Sequence, residues 1–353
     1  MAESVVVAIP ARDEAERIKA CLTALDQQIR RPDSVVLMLN NCTDDSAMVA
    51  RSIAPNLRFQ LELFQCVLPP ERANAGSARR MAMQIAADQA GPNGFLLTTD
   101  ADSIAPADWV SRNFAELRNG TDIVCGRAII DPLEATSIPA SLHADDALEC
   151  RLIALLDDLA WHLDPERHDP PPRHTEASGA SIAVSVPAYR RVGGIPAVPS
   201  GEDRTFVRNL WMIDAHVRHD PAIRVLVSGR IIGRADGGMA DAIRRRMQQQ
   251  DEYTDDQAEP VQDAFRRYKL RYRVRRLWAG APDAALADAL GISQTALDAA
   301  RSQPYFGSAW AMLEPRSPVL ARRRVRFRDL PAQIAIAERL LREVAVRDTL
   351  AAD

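Results

Sequence analysis

The sequence predicts an α/β fold: a mostly parallel sheet with helices on both faces, followed by a mainly helical C-terminal region. Three observations carry this expectation. The run Val5-Val6-Val7-Ala8-Ile9 is apolar at every position, as in a strand buried on both faces. Runs of this kind alternate with segments of helical periodicity through residue 130, and such alternation gives parallel strands joined by helical crossovers. From Met239 onward the strand signals stop and the chain reads as almost wholly helical. Its 353 residues, 47% hydrophobic and 26% charged, suffice for one large domain or two smaller ones.

The elements follow in order. Pro10 closes the first strand, and Ile18, Leu22 and Leu25 recur at helical spacing within a helix over 14–27. A second strand is predicted over 35–39, a helix over 44–53 and a third extended run over 59–67. The segment 76–90, rich in Ala, Met and Arg, reads as helix. Residues 95–99 form the next strand, ending in Asp100-Ala101-Asp102. Pro106 suits the first position of a helix whose apolar side carries Trp109, Phe114 and Leu117. A strand over 123–125 follows. The rhythm then breaks at 131–175, where an acidic helix over 144–161 runs into Asp169-Pro170-Pro171-Pro172, an exposed connection. Alternation resumes with an extended segment at 181–186, a Gly193-Gly194 turn, a helix beginning at Glu202 and a last strand over 223–227. A helix over 283–300 and an amphipathic end segment bearing Ile334, Leu340, Leu341 and Val344 complete the chain. The expected organisation is a sheet domain over 1–238, with 131–175 as an insertion, and a helical region over 239–353.

Bulk properties exclude several classes. A formal charge of -4 argues against a protein that coats nucleic acid. Cysteines at 21, 42, 66, 125 and 150 are odd in number and contain no C-x-x-C pair, so neither a zinc site nor a disulfide framework is indicated. No apolar run approaches the roughly 18 residues that span a bilayer, and no secretory leader is evident at Met1, so a soluble cytoplasmic protein is expected. Only Lys19 and Lys269 are lysine among 44 basic residues, a skew expected of a GC-rich, bacterial genome.

The chemistry concentrates at Asp100-Ala101-Asp102-Ser103. Two carboxylates flanking one small residue, placed where a buried strand ends, can both face the ligand edge of the sheet. A hard divalent cation is held by one or two such carboxylates together with substrate phosphate oxygens. An isolated Asp-x-Asp more often caps the following helix; here its neighbours decide. The sequence resembles the family 2 glycosyltransferases of the GT-A fold over roughly residues 4–235. The resemblance lies in Ile9-Pro10-Ala11-Arg12-Asp13-Glu14, Asn40-Asn41-Cys42-Thr43-Asp44-Asp45-Ser46, Asn74-Ala75-Gly76-Ser77-Ala78-Arg79 and Asp100-Ala101-Asp102. It continues through Gly179-Ala180-Ser181, Val192-Gly193-Gly194 and Gly201-Glu202-Asp203.

The resemblance implies a metal-dependent, inverting transfer of a sugar from a nucleoside diphosphate, UDP-linked, to a hydroxyl acceptor that is a small molecule, a glycan or lipid-linked. It places Pro10, Ala11, Arg12, Glu14 and Asn40 around the base and ribose. Many relatives have Asp where Asn40 stands, which leaves uracil or guanine open. Gly76, Arg79, Asp100 and Ala101 are expected beside the nucleotide, and Asp102 with Asp100 on Mg²⁺ or Mn²⁺. Asp203 is the implied base, Glu202 an orienting group, and Gly179, Ala180 and Ser181 a wall against the donor sugar. Some relatives complete the metal shell with a downstream His. Residues 228–238 contain none, so the third ligand is unassigned and Arg230 and Arg234 are expected to grip the diphosphate instead.

Two arginine-rich stretches remain. Residues 265–278 carry seven basic residues and no acid, interleaved with aromatic and aliphatic residues, and Arg322, Arg323, Arg324, Arg326 and Arg328 form a second cluster. Either could touch an anionic membrane surface at the inner face of the cytoplasmic membrane or a phosphorylated acceptor; solvated arginines along apolar helix surface are the commoner case. A homodimer is left open. Acceptor selectivity is expected in 131–175 and the helical C-terminal region. Two rivals stand beside the transferase. A sugar-phosphate nucleotidyltransferase would need a Gly-rich basic loop after the first strand, and 9–14 contain no Gly. A non-catalytic nucleotide-sugar-binding protein of the same fold would not need Asp100, Asp102 and Asp203 intact.

Overall fold

The computed structural model describes residues 3–231, 233, 239–249 and 251–352, without the side chains of Met239 and 345–352. Seven strands form one sheet in the order β3-β2-β1-β4-β6-β5-β7. They are β1 (Val5–Ala11), β2 (Ser34–Asn40), β3 (Gln60–Cys66), β4 (Phe95–Thr98), β5 (Ile123–Ile130), β6 (Ile182–Ser185) and β7 (Val217–Val227). All run parallel except β6, which lies antiparallel between β4 and β5. The sequence predicted a mostly parallel sheet, and this is the observed one.

Burial explains the central strands. Every residue of β1 and β2 is buried, and each fully buried aliphatic side chain contributes about 1.5–3 kcal/mol. Val5, Val7 and Ile9 face α1 (Ile18–Asp26), α2 (Ser46–Ile53) and the later α4 (Trp109–Arg118), in a core with Leu22, Leu25, Ala50 and Val110. On the other face α3 (Ala75–Ala90) packs across β1, β2 and β4 with small residues, Ala78, Ala82 and Ala86, that let its backbone approach the sheet. Two helices start later than expected. α1 begins at Ile18 because residues 15–17 form a turn after Glu14, and α4 begins at Trp109, whose N–H donates to the Pro106 carbonyl at 3.0 Å. β5 and β7 are longer than their apolar runs, since they pair across a register shift at Cys125/Arg127 that exposes part of each strand.

The chain divides into two compact units. The first comprises Met1–Ile138, Glu176–Leu210 and Ala215–Arg245, and holds the whole sheet with α5 (Pro132–Ala135), α7 (Val186–Arg191) and the start of α8 (Glu202–Met212). The second comprises Pro139–Thr175, Trp211–Asp214 and Arg246–Asp353. Residues 139–175, expected as an insertion of the sheet domain, thus group with the C-terminal helices. In this unit α6 (Ala140–Leu163) packs against α10 (Val261–Trp278), which follows α9 (Met239–Gln248) in the chain, and against α14 (Leu330–Ala352). The helix predicted over 283–300 is two helices, α11 (Leu286–Leu290) and α12 (Gln294–Arg301), because Gly291 takes the left-handed conformation at φ +64 and ends the first of them. α13 (Phe306–Leu313) completes a second small core around Trp310.

Four of the six arginines of 265–278 are paired within this unit. Arg271 binds Asp164 and Glu166, Arg275 binds Asp164 at 2.8 Å and Glu166 at 2.6 Å, Arg273 binds Asp283 at 2.8 Å, and Arg267 binds Glu259. Their charges are matched by internal carboxylates. No helix among the described residues is long and apolar enough to cross a membrane.

Candidate active site

The parallel strands β2, β1 and β4 end on one edge of the sheet, and strand order reverses between β1 and β4, where crevices form in doubly wound folds. Because β6 is antiparallel, its N-terminal end reaches the same edge and brings Gly179-Ala180 beside the end of β4. β7 also ends there, followed by Ser228 and Arg230. The result is a cleft of about 520 Å³ in the sheet unit.

That cleft is lined by Pro10, Ala11, Arg12, Glu14, Asn40, Gly76, Arg79, Asp100, Ala101, Asp102, Gly179, Ala180, Glu202, Asp203 and Arg230. These are fifteen of the seventeen residues picked out from the sequence. Ser181 is different: it is fully buried, and its hydroxyl accepts from the Trp109 indole N–H at 2.9 Å, so it braces β6 against α4 rather than facing the cleft. Arg234 lies outside the described residues.

Arg79 organises the interior of the cleft. It projects from α3, whose N-terminus is capped by the Asn74 carbonyl oxygen accepting from Ser77 N–H at 2.8 Å. Four of its five N–H groups are used: toward Asp100 at 2.6 Å, Glu202 at 3.2 Å, the Thr98 hydroxyl at 2.7 Å and the Gly179 carbonyl at 2.8 Å. Burial works against the charge of this guanidinium, but the carboxylates of Asp100 and Glu202 outweigh it and hold the pKa above the ordinary value. Gly179 is required for this contact, since a Cβ there would lie 2.5 Å from the Arg79 guanidinium carbon. Gly76 is similarly tight against Glu202, with a Cβ placed 3.1 Å from its carboxyl group.

Glu202 and Asp203 stand in the first turn of α8 but do different things. Glu202 is buried and neutralised by Arg79. Asp203 is half-buried, and its carboxylate accepts from the Gly179 N–H at 2.9 Å and from its own neighbour Arg204 N–H at 2.7 Å. Two backbone donors therefore fix its orientation without neutralising it. Gly179 joins both halves of the site, its carbonyl taken by Arg79 and its N–H by Asp203.

On the opposite wall Arg230 donates to both oxygens of Glu14, at 2.9 and 2.6 Å, and lies 3.0 Å from Asp102. Burial lowers its pKa, and Glu14 and Asp102 more than restore it. Burial pushes Asp102 up to about 6, with a further rise from the nearby charge of Asp100 and a counteracting pull from Arg230. Asn40 is buried and donates to the Asn74 carbonyl at 3.2 Å, which ties the end of β2 to the start of α3. Arg12 is exposed at the mouth and donates to the Ala73 carbonyl at 3.1 Å.

The donor set fits a hard divalent cation held by two carboxylates. Asp100 and Asp102 offer oxygen ligands whose mutual repulsion a cation would relieve, and no third carboxylate, His or Cys joins them at ligand spacing among the described residues. Such a shell is completed by substrate oxygens and water. The described residues hold one trio of converging groups, Asp13, Cys42 and Asp44. It is bound within itself: Asp13 accepts from the Thr43 and Asp44 N–H groups at 2.6 and 3.2 Å, and Asp44 accepts from Ser46.

Sequence reasoning missed the Glu14–Arg230 pair, which spans 216 positions and leaves no local pattern. It also missed Thr98, whose position at the buried end of β4 two residues before the acidic pair was the available signal.

The arrangement is matched by sequence. Residues 6–165 match the family model described as glycosyl transferase family 2. The matched segment supplies β1 to β5 and, within the cleft, Asn40, Gly76, Arg79, Asp100 and Asp102. No curated protein sequence matches it. Among solved structures, it is similar to S. aureus TarS 1-349 in complex with UDP-GlcNAc, with 14% identity, 90% of each chain covered and a TM-score of 0.48. It is similar to the mannosyltransferase PcManGT from Pyrobaculum calidifontis in complex with GDP-Man and Mn²⁺, with 16% identity, 100% of this chain and 89% of that chain covered, and a TM-score of 0.46. Glucosyl-3-phosphoglycerate synthase from Mycobacterium tuberculosis, in complex with Mn²⁺, uridine-diphosphate and phosphoglyceric acid, is 13% identical, with 80% and 81% of the chains covered and a TM-score of 0.43.

Proposed function

We propose that the chain transfers one sugar from a nucleoside diphosphate donor, UDP-linked, to a hydroxyl acceptor with inversion, and that Mg²⁺ or Mn²⁺ assists. One observation carries this reading: Asp100 and Asp102, inside the segment that matches the family 2 model, line a single cleft with Asp203, about a hundred positions later in sequence. When bound by Asp102 with Asp100, the cation would neutralise charge on the departing diphosphate.

The remaining steps belong to the chain's own side chains. Pro10, Ala11, Arg12 and Asn40, at the ends of β1 and β2, bind the base and ribose. Gly76 lets the nucleotide approach the N-terminal turn of α3, where free backbone N–H groups favour an anion. Arg230 holds Glu14 and Asp102 in the free protein and suits a diphosphate oxygen once the donor arrives. Asp203 accepts the proton of the acceptor hydroxyl as the new bond forms, opposite the leaving diphosphate. Its two backbone donors keep it aimed. Glu202 and Arg79 act on position: together they hold Asp100, Gly179 and through it Asp203 in one frame.

The test is a panel of nucleotide sugars incubated with Mn²⁺ and with EDTA, following release of nucleoside diphosphate and the anomeric configuration of the product. Release of UDP that depends on the metal and on Asp203 is expected. Release from no nucleotide sugar, with pyrophosphate formed instead from a nucleoside triphosphate and a sugar phosphate, would overturn the transferase reading.

A further inference from the structure

In the second arginine cluster Arg322, Arg323, Arg326 and Arg328 each meet a carboxylate, and Arg324 is left without one among the described residues. Residues 321–326 run extended, with the backbone of Val325 pinned on both sides: its carbonyl accepts from Thr254 N–H at 2.9 Å and Oγ1 at 3.0 Å, and its N–H donates to the Ala258 carbonyl at 3.1 Å. Phe327 N–H donates in turn to the Glu252 carbonyl at 3.1 Å. Alternation along an extended chain turns Val325 and Phe327 into the helical core and Arg324 and Arg326 to the other side. There they flank Tyr253, with guanidinium carbons 5.4 and 5.6 Å from the ring centroid, at a cavity of about 440 Å³.

The groups lining this cavity are rich in donors. Arg326 Nε donates to the Tyr253 hydroxyl oxygen at 3.3 Å, leaving the phenol proton to be donated elsewhere. Gln333 accepts from Val261 N–H at 2.9 Å through Oε1, which leaves its NH₂ group available. Arg324 has no carboxylate within ion-pair distance among the described residues. Arg323 and Arg326 meet only partly exposed acids, Asp263 at 2.5 Å and Glu252 at 3.3 Å, and Asp329 contributes the one acid of the lining. Exposed pairs of this type are weak and easily exchanged.

We propose that this cavity is a binding site for a phosphoryl group, carried by an anionic phospholipid or by a soluble phosphate ester, with Arg324, Arg326, Tyr253 and Gln333 as donors to its oxygens. A phosphoryl group offers three acceptor oxygens to guanidinium forks, and the pinned backbone spares the cost of ordering the segment on binding. The site lies wholly within the helical unit and stands independently of the donor cleft.

Calorimetry of the full chain with glycerol phosphate, and co-sedimentation with phosphatidylcholine vesicles with and without phosphatidic acid, test it at fixed moderate salt. Three variants accompany the parent: Arg324→Met, Tyr253→Phe and, in the other cleft, Arg230→Met. Saturable binding that weakens by about tenfold or more in Arg324→Met, less in Tyr253→Phe and not in Arg230→Met, is expected. If vesicle binding alone shows this pattern the phosphoryl group is lipid-borne; if glycerol phosphate alone shows it, soluble. Absence of saturable binding to both probes, or binding indifferent to Arg324→Met and Tyr253→Phe, overturns the proposal whatever the fate of the transferase reading.

Discussion

Replacing Asp102 by Asn should make the metal-free protein more stable while removing its use of the cation. Asp102 is buried beside Asp100, and its pKa is raised from 3.8 to about 6. A rise of about two pH units corresponds to about 3 kcal/mol between the ionised and neutral forms. Because Asp100 shares the repulsion and Arg230 partly offsets it, the gain from Asn at pH 8 should fall at about 1–3 kcal/mol. The sign follows from the direction of the shift. The unfolded chain loses this proton near 3.8 while the folded chain keeps it to about 6, so parent stability falls across that interval and is flat above it. The advantage of Asp102→Asn should therefore be small at pH 4.5 and full at pH 8. Arg230 keeps both hydrogen bonds to Glu14 in either protein. Urea unfolding of parent and variant in EDTA at the two pH values measures the difference. A variant less stable than the parent at pH 8, or an advantage equal at both pH values, would refute the electrostatic reasoning.

Other substitutions bear on the same frame. Gly179→Ala should cut transfer at least about tenfold with little loss of expression, since its Cβ forces Arg79 to move and so shifts Asp100 and Asp203 together; steady-state kinetics reads this as a fall in kcat. Arg79→Met leaves the buried Glu202 carboxylate without its cation and should cost about 3–5 kcal/mol in a denaturation experiment, with Arg79→Lys intermediate. Gly291→Ala, remote from the cleft, should cost about 1 kcal/mol through its left-handed φ of +64 and leave donor binding untouched.

What was legible in the sequence had a local signature. Val5 to Ile9 read as a doubly buried strand because every position is apolar, and Asp100-Ala101-Asp102 could be placed at the ligand edge because the strand before it ends there. Asp203 was reached through the family resemblance of Gly201-Glu202-Asp203, and a helix N-terminus alone would have explained it otherwise. What escaped was long-range. Nothing near Glu14 announces Arg230, and nothing near Ser181 announces Trp109 as its partner. The basic run in α10 looked like a surface until Asp164, Glu166 and Glu259 appeared beside it. Helix breaks at Gly291 and before Trp109 depended on backbone geometry that periodicity cannot resolve.

If the acidic pair binds the donor and Asp203 accepts the proton, the two jobs come apart by mutation within one cleft. Titrating UDP with Mn²⁺ into Asp203→Asn and following sugar transfer by the same preparation tests it most directly. Donor affinity equal to the parent's, with turnover lower by about a hundredfold or more, is expected. A variant that transfers at the parent's rate, or that loses donor binding in proportion to its turnover, would contradict it.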